Sequence, residues 1–203
     1  MINPDFIFLA LLFNAVGTSS YVIKVFRRVV TPNRVTWFLW GLIPIVAFSA
    51  QISAEVGLQS LQTLAAGLFP LIVFTISFRN RGGYWMLSSL DYGCGFLSIA
   101  ALVAWILTRH ASYAIMLSIV ADALAAAPTA MKAFHAPQSE NPATYLCAAI
   151  SSVITLLIVS KWDVAHAAFP SYLLVISLLL FVLTVRQYTS TKSGLDVLTL
   201  LRP

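Results

Sequence analysis

Asp122 is the side chain in this sequence with the most chemistry to account for. It stands near the middle of an apolar stretch, about 112–133, among Ile, Val, Leu, Ala and Met. A carboxylate at mid-bilayer costs about 3 kcal/mol on insertion scales, and such groups face a partner or a wet cavity. Two functional roles fit it, ligand of a polar solute or proton-coupling group. The structural alternative is a carboxyl that hydrogen-bonds a neighbouring helix. Asn14 lies at the same depth of the first apolar stretch. Its amide can donate and accept toward an uncharged polar solute, or tie two helices together. Gln62, Ser151, Ser152 and Thr155 are further polar residues that could line a path, with Ser152 placed beside Asn14 and Asp122 as a binding residue.

Trp37, Trp40 and Tyr145 cluster where two other apolar stretches begin. The favoured reading is an aromatic belt at the membrane interface. The alternative is that Trp40, one turn deeper than Trp37, stacks on a ring-bearing solute. Pro128 follows Asp122 by six residues, and Pro44 and Pro70 lie inside other stretches. Proline removes a helical hydrogen bond and kinks the helix, so each is a hinge or a fixed bend. Gly17 permits close helix approach.

These residues must be positioned by membrane helices. The chain is 60% hydrophobic and only 9% charged, with mean hydropathy +0.89, whereas soluble domains are about 25% charged. Seven stretches are long enough to cross a bilayer, about 6–26, 36–54, 60–78, 88–107, 112–133, 143–160 and 170–188. Without water their backbones must bond internally, so each is expected to be a helix. The connections are short, and no segment is expected to fold as a separate soluble domain. Residues 189–203 are expected to form a short tail at the membrane surface. The first six residues carry Asp5 and no basic residue, so they do not read as a signal peptide.

The net charge of +5 does not point to nucleic acid, because it is distributed by side. One side of the expected spans holds Lys24, Arg27, Arg28, Arg34, Arg79, Arg81, Lys132, Arg186, Lys192 and Arg202. The other keeps only Arg109 and Lys161, beside Asp5, Glu55 and Asp163. The positive-inside rule then puts the N-terminus outside and the C-terminus in the cytoplasm of a cell membrane, with the basic residues against anionic lipid. Asp91 is expected to anchor the fourth span by pairing with Arg79 or Arg81. Cys94 and Cys147 both fall in spans and do not suggest a disulfide framework.

The sequence also repeats itself at an offset of 108 residues (Leu9 to Leu117). Lys24 matches Lys132, Asn33 matches Asn141, Thr36 matches Thr144 and Asn14 falls over Asp122, all in one ungapped register. Apolar residues coincide by chance in any membrane protein, whereas this polar set does not. The expected architecture is therefore all-α: a three-helix repeat over 1–81, a connector helix within 82–109, and a second three-helix repeat over 110–188. With one connector between them, the two repeats run parallel, and sites in such proteins lie where the repeats meet.

A 3-1-3 helix plan in about 200 residues resembles the PQ-loop superfamily, which includes the SWEET sugar carriers. The family's signature is a Pro-Gln pair late in the first helix of each triplet, followed by a Lys. Here the second repeat has Pro128-Thr129-Ala130-Met131-Lys132 and the first has Ser20-Tyr21-Val22-Ile23-Lys24. The Lys stands in both, the Pro in one and the Gln in neither. The plan is also similar to vitamin transporters that take up nicotinamide-riboside-type precursors, of which Trp37-Phe38-Leu39-Trp40 is loosely reminiscent. The resemblance implies a distant relative of transporters and carries no sugar specificity.

Motifs for other chemistry are absent from the sequence: no His-Glu-x-x-His, no Gly-x-Ser-x-Gly elbow and no phosphate-binding Gly-Lys loop. His110, His135 and His166 are far apart at span edges, and no metal or cofactor is expected. A retinal protein would need a Lys in the last span, and Tyr172–Val185 has none. An intramembrane enzyme would need a second carboxylate or a His near Asp122, and the spans offer only Asp91 at another depth. The expected function is a secondary transporter of a small neutral or cationic polar solute, with Asn14, Asp122, Trp40 and Ser152 at the site and Pro128 and Pro44 as hinges. The alternative is a non-transporting scaffold, trafficking factor or sensor. The partners are the solute and membrane lipid, with a homo-oligomer left open.

Overall fold

The computed structural model describes residues 2–79 and 110–200, with 187–200 as backbone only, and residues 89, 92, 93, 96, 97, 99, 100, 103 and 107. The expected connector over 88–107 is described only at those scattered positions. Asp91, Cys94, Gly95, Arg81, Arg109 and residues 201–203 lie outside the described residues.

Among the described residues the regular structure is helical. The long helices are α1 (Ile7–Phe26), α2 (Arg34–Ser53), α3 (Ser60–Ser77), α4 (Ala111–His135), α5 (Pro142–Ile158) and α6 (Phe169–Leu200). Five of them are long and apolar enough to cross a membrane, and α5, at 17 residues, is a shorter apolar helix. The limits lie within two residues of the expected stretches, except at the end of α6. That helix runs on to Leu200 where a surface tail was expected from 189. Hydropathy marks where an apolar run stops, but Gln187–Leu200 holds no proline to stop a helix.

Local chemistry sets the helix starts. The Asn33 side chain accepts hydrogen bonds from the Val35 and Thr36 N–H groups and caps α2. Asn141 accepts from the Ala143 N–H and caps α5, with Pro142 at its first position. Asp163 caps the π-helical turn Val164–Ala168 before α6, accepting from the His166 N–H at 3.0 Å and facing its Nδ1 at 2.7 Å. That contact with His166 holds the Asp163 carboxyl below its usual range.

The helices close into a ring. α1 packs against α3 and α5, α2 against α3 and α4, and α6 against α4 and α5, so the order around the ring is α1, α3, α2, α4, α6, α5. At the α1–α5 crossing, a Cβ on Gly17 would meet the Cys147 Cβ at 2.8 Å, so only glycine lets the helices come this close. The outward faces of α1 and α6 carry Phe8, Leu12, Val16, Ile23, Val175, Leu179 and Val182, all exposed. On a soluble protein that surface would be an association patch; beside five helices long and apolar enough to cross a membrane it is compatible with a lipid-facing surface. The inner faces hold Tyr21, Trp37, Trp40, Ile43, Tyr145 and Leu180 in one core cluster.

Candidate solute site at the centre of the helix ring

The ring encloses a cavity of about 100 Å³ to which all six helices contribute. Its wall includes Asn14 and Thr18 from α1, Trp37, Trp40 and Pro44 from α2, and Gln62, Phe69 and Pro70 from α3. Asp122 comes from α4, Thr144, Tyr145 and Ser152 from α5, and Leu173 and Ser177 from α6. The four residues singled out for binding in the sequence therefore share one wall.

Asp122 is 2% exposed. Its Oδ2 accepts a hydrogen bond from the Tyr172 hydroxyl of α6 at 2.7 Å, whereas its Oδ1 has no hydrogen-bond partner. Asn14 donates from Nδ2 to the Ser151 hydroxyl at 2.7 Å and so bridges α1 to α5. The Ser152 hydroxyl accepts from Gln62 Nε2 at 2.8 Å and donates to the Ala148 carbonyl at 2.9 Å. Gln62 keeps its Oε1 unpartnered, as Trp40 does its Nε1. Ser151 and Thr155, offered by the sequence as path residues, are off the wall, and Thr155 donates back to the Ser151 carbonyl.

The aromatic belt reading is corrected. Trp37, Trp40 and Tyr145 are 4, 9 and 4% exposed and face the cavity, not lipid headgroups. The Trp37 ring stands edge-on to Trp40 at 5.4 Å and tilts against Tyr21 at 4.6 Å. Sequence position gives depth in the membrane, but the direction around the helix axis comes from packing.

Two of the three prolines reach the site. Pro44 and Pro70 lie on the wall, and Pro128 does not. A proline has no N–H for the carbonyl four residues back. At these two positions those carbonyls belong to Trp40 and Ala66, themselves wall residues.

A second polar cluster underlies the cavity and was not singled out in the sequence. Glu140, in the α4–α5 connection, is 2% exposed. Its Oε2 accepts from the Tyr21 hydroxyl at 3.0 Å and the Tyr145 hydroxyl at 2.8 Å, and its Oε1 pairs with Lys132 Nζ at 2.6 Å. Lys132 also donates to the Thr31 carbonyl. Beside it, Lys24 donates to Asn141 Oδ1 at 2.8 Å, and Asn141 Nδ2 donates to the Ser20 hydroxyl at 2.9 Å. An acid on the otherwise basic side, directly before an Asn-Pro helix start, was the available signal for Glu140. Tyr172 had none, because one tyrosine in an apolar helix carries no mark of its partner.

Among the described residues no group of three or more His, Cys, Asp or Glu comes together as a metal site would require. Comparison with protein-family models, with curated proteins and with solved structures finds no match for the chain.

Proposed function

We propose that this protein is a small secondary transporter or facilitator of a neutral or cationic polar solute, and a distant relative of the PQ-loop carriers. It works by alternating access between two three-helix halves, α1–α3 and α4–α6. The observation that carries this reading is a central cavity with Asp122 Oδ1, Gln62 Oε1 and the Nε1 atoms of Trp37 and Trp40 unpartnered on its wall residues. Each such buried group costs about 1–3 kcal/mol, more when charged. A scaffold gains nothing from keeping them, whereas a polar solute satisfies them. This is also why the cavity favours a transporter over the scaffold reading.

The ring order supports the two-half plan, since α3 lies between α1 and α2 and α6 lies between α4 and α5. The halves meet along two seams, α1–α5 and α2–α4. Several polar bonds across them gather at one end: Tyr21 to Glu140, Lys24 to Asn141, Lys132 to the Thr31 carbonyl and Thr144 to the Gly17 carbonyl. Opening the cavity at that end requires these bonds to part, with Pro44 in α2 and Pro128 in α4 as the bending points. By charge asymmetry that end is cytoplasmic.

The test is uptake into proteoliposomes of a labelled panel of sugars, nucleosides, vitamins and amino acids, run beside Asp122→Asn. Uptake of one solute that the variant loses is the expected result. If folded protein moves none of the panel, the weight shifts to a scaffold. If Asp122→Asn and Asp122→Ala transport as the parent does, Asp122 is not the site.

A further inference from the structure

We infer that the cavity is built for a small organic monocation bearing an ammonium group. This narrows the solute class of the carrier reading above and rests on it. The argument begins with charge. Asp122 Oδ1 is buried without a partner, and among the described wall residues there is no Lys, Arg or His. The lysines of α1 and α4 are engaged elsewhere, Lys24 by Asn141 and Lys132 by Glu140 and the Thr31 carbonyl. A desolvated carboxyl stays ionised only beside an opposite charge and otherwise holds a proton, and the described wall supplies no such charge. The solute is the group that would bring it.

The remaining wall chemistry points the same way. Gln62 Oε1 is a second unpartnered acceptor. Pro44 and Pro70 leave the carbonyls of Trp40 and Ala66 without their helical donors, adding acceptors on wall residues. Against these acceptors the indole N–H groups of Trp37 and Trp40 are unpartnered donors, while Asn14 Nδ2 and the Ser152 hydroxyl already donate within the protein. An anion would meet the Asp122 carboxyl with neutral indole donors, and no described cationic side chain, to hold it. The rings of Trp37, Trp40, Phe69 and Tyr145 line the wall, and aromatic rings attract cations in a water-poor setting. The cavity of about 100 Å³ is well under the ~300–1,000 Å³ typical of drug-sized ligands, so the cation is small.

The experiment compares cations with neutral molecules of nearly the same shape. Ethanolamine is set against ethylene glycol, and choline against 3,3-dimethylbutan-1-ol. Purified full-length protein in detergent is titrated with each and its melting temperature followed. The same four are then assayed for uptake into proteoliposomes under an inside-negative potential, with protein-free vesicles subtracted. At least one cation should stabilise the protein saturably while its neutral counterpart does not. Asp122→Asn, which keeps an acceptor for Tyr172, should weaken cation binding by about tenfold or more, and Asp122→Glu should retain part of it. Failure of both cations to bind, equal binding of the neutral molecules, or unchanged cation affinity in Asp122→Asn each overturns the inference. Cation binding without uptake leaves it standing and removes the carrier reading. Uptake of a neutral solute without cation binding does the reverse.

Discussion

At the scale of single residues, two buried acids of this protein are held in opposite ways. Asp122 has one oxygen on Tyr172 and the other unpartnered, in a wall without a described basic residue. Glu140 has both oxygens engaged, Oε2 by two tyrosine hydroxyls from α1 and α5 and Oε1 by an ion pair with the lysine of α4. Removing one partner of a buried ion pair costs about 3–5 kcal/mol, because the other charge is left uncompensated. Glu140→Ala should therefore lower the melting temperature in detergent sharply, and Glu140→Gln less, since its amide oxygen still accepts from the tyrosines. The double variant Glu140→Gln with Lys132→Met should recover part of the loss. A Glu140→Ala protein melting like the parent would show that this cluster does not hold the end of the bundle together. Of the two acids, only Asp122 was legible in the sequence, because its neighbours for a turn or more on each side are mostly apolar. Glu140 lies in a connection, where an acid is ordinary until the fold buries it.

At the scale of elements, close helix approach is decided by a few small residues. The Thr144 hydroxyl donates to the Gly17 carbonyl at 2.8 Å, and an added Cβ at Gly17 would stand 3.1 Å from the Thr144 carbonyl oxygen. A larger residue there must push α1 off α5, and overpacking of this kind costs about 1–3 kcal/mol. Gly17→Val should lower the melting temperature accordingly. In Gly17→Ala, replacing Cys147 by Gly should restore part of it, since Cys147 Cβ is the nearest obstruction. No recovery would mean that backbone, not the Cys147 side chain, limits the approach. Some polar residues that coincide at the 108-residue offset have local roles at this scale. Asn33 and Asn141 are helix caps, and Lys24 and Lys132 reach into the connections beside them. These two pairs stand at helix ends, whereas Asn14 and Asp122 lie inside α1 and α4.

At the scale of the whole molecule, the apolar outer faces are compatible with a bilayer, and the uneven distribution of basic residues predicts which way the ring would face in one. A reporter fused after Pro203 should read as cytoplasmic, and one fused before Met1 as external. The reverse pattern would invert the orientation and make the Glu140 end the outer one. The sequence by itself determined that the protein is helical, that several of its helices are long and apolar enough to cross a membrane, and where most of the described helices begin and end. Those properties follow from hydropathy and local capping, which act over a few residues. Tertiary structure alone decided that Trp37, Trp40 and Tyr145 face inward, that Tyr172 meets Asp122, that Ser151 serves Asn14 while Ser152 reaches the wall, and that Glu140 is buried. The physical reason is that these helices are apolar on nearly every face, because both lipid and the ring interior are apolar surroundings. In a soluble helix, water marks the outer face with charge. Here the inward direction is set by which helices pack together.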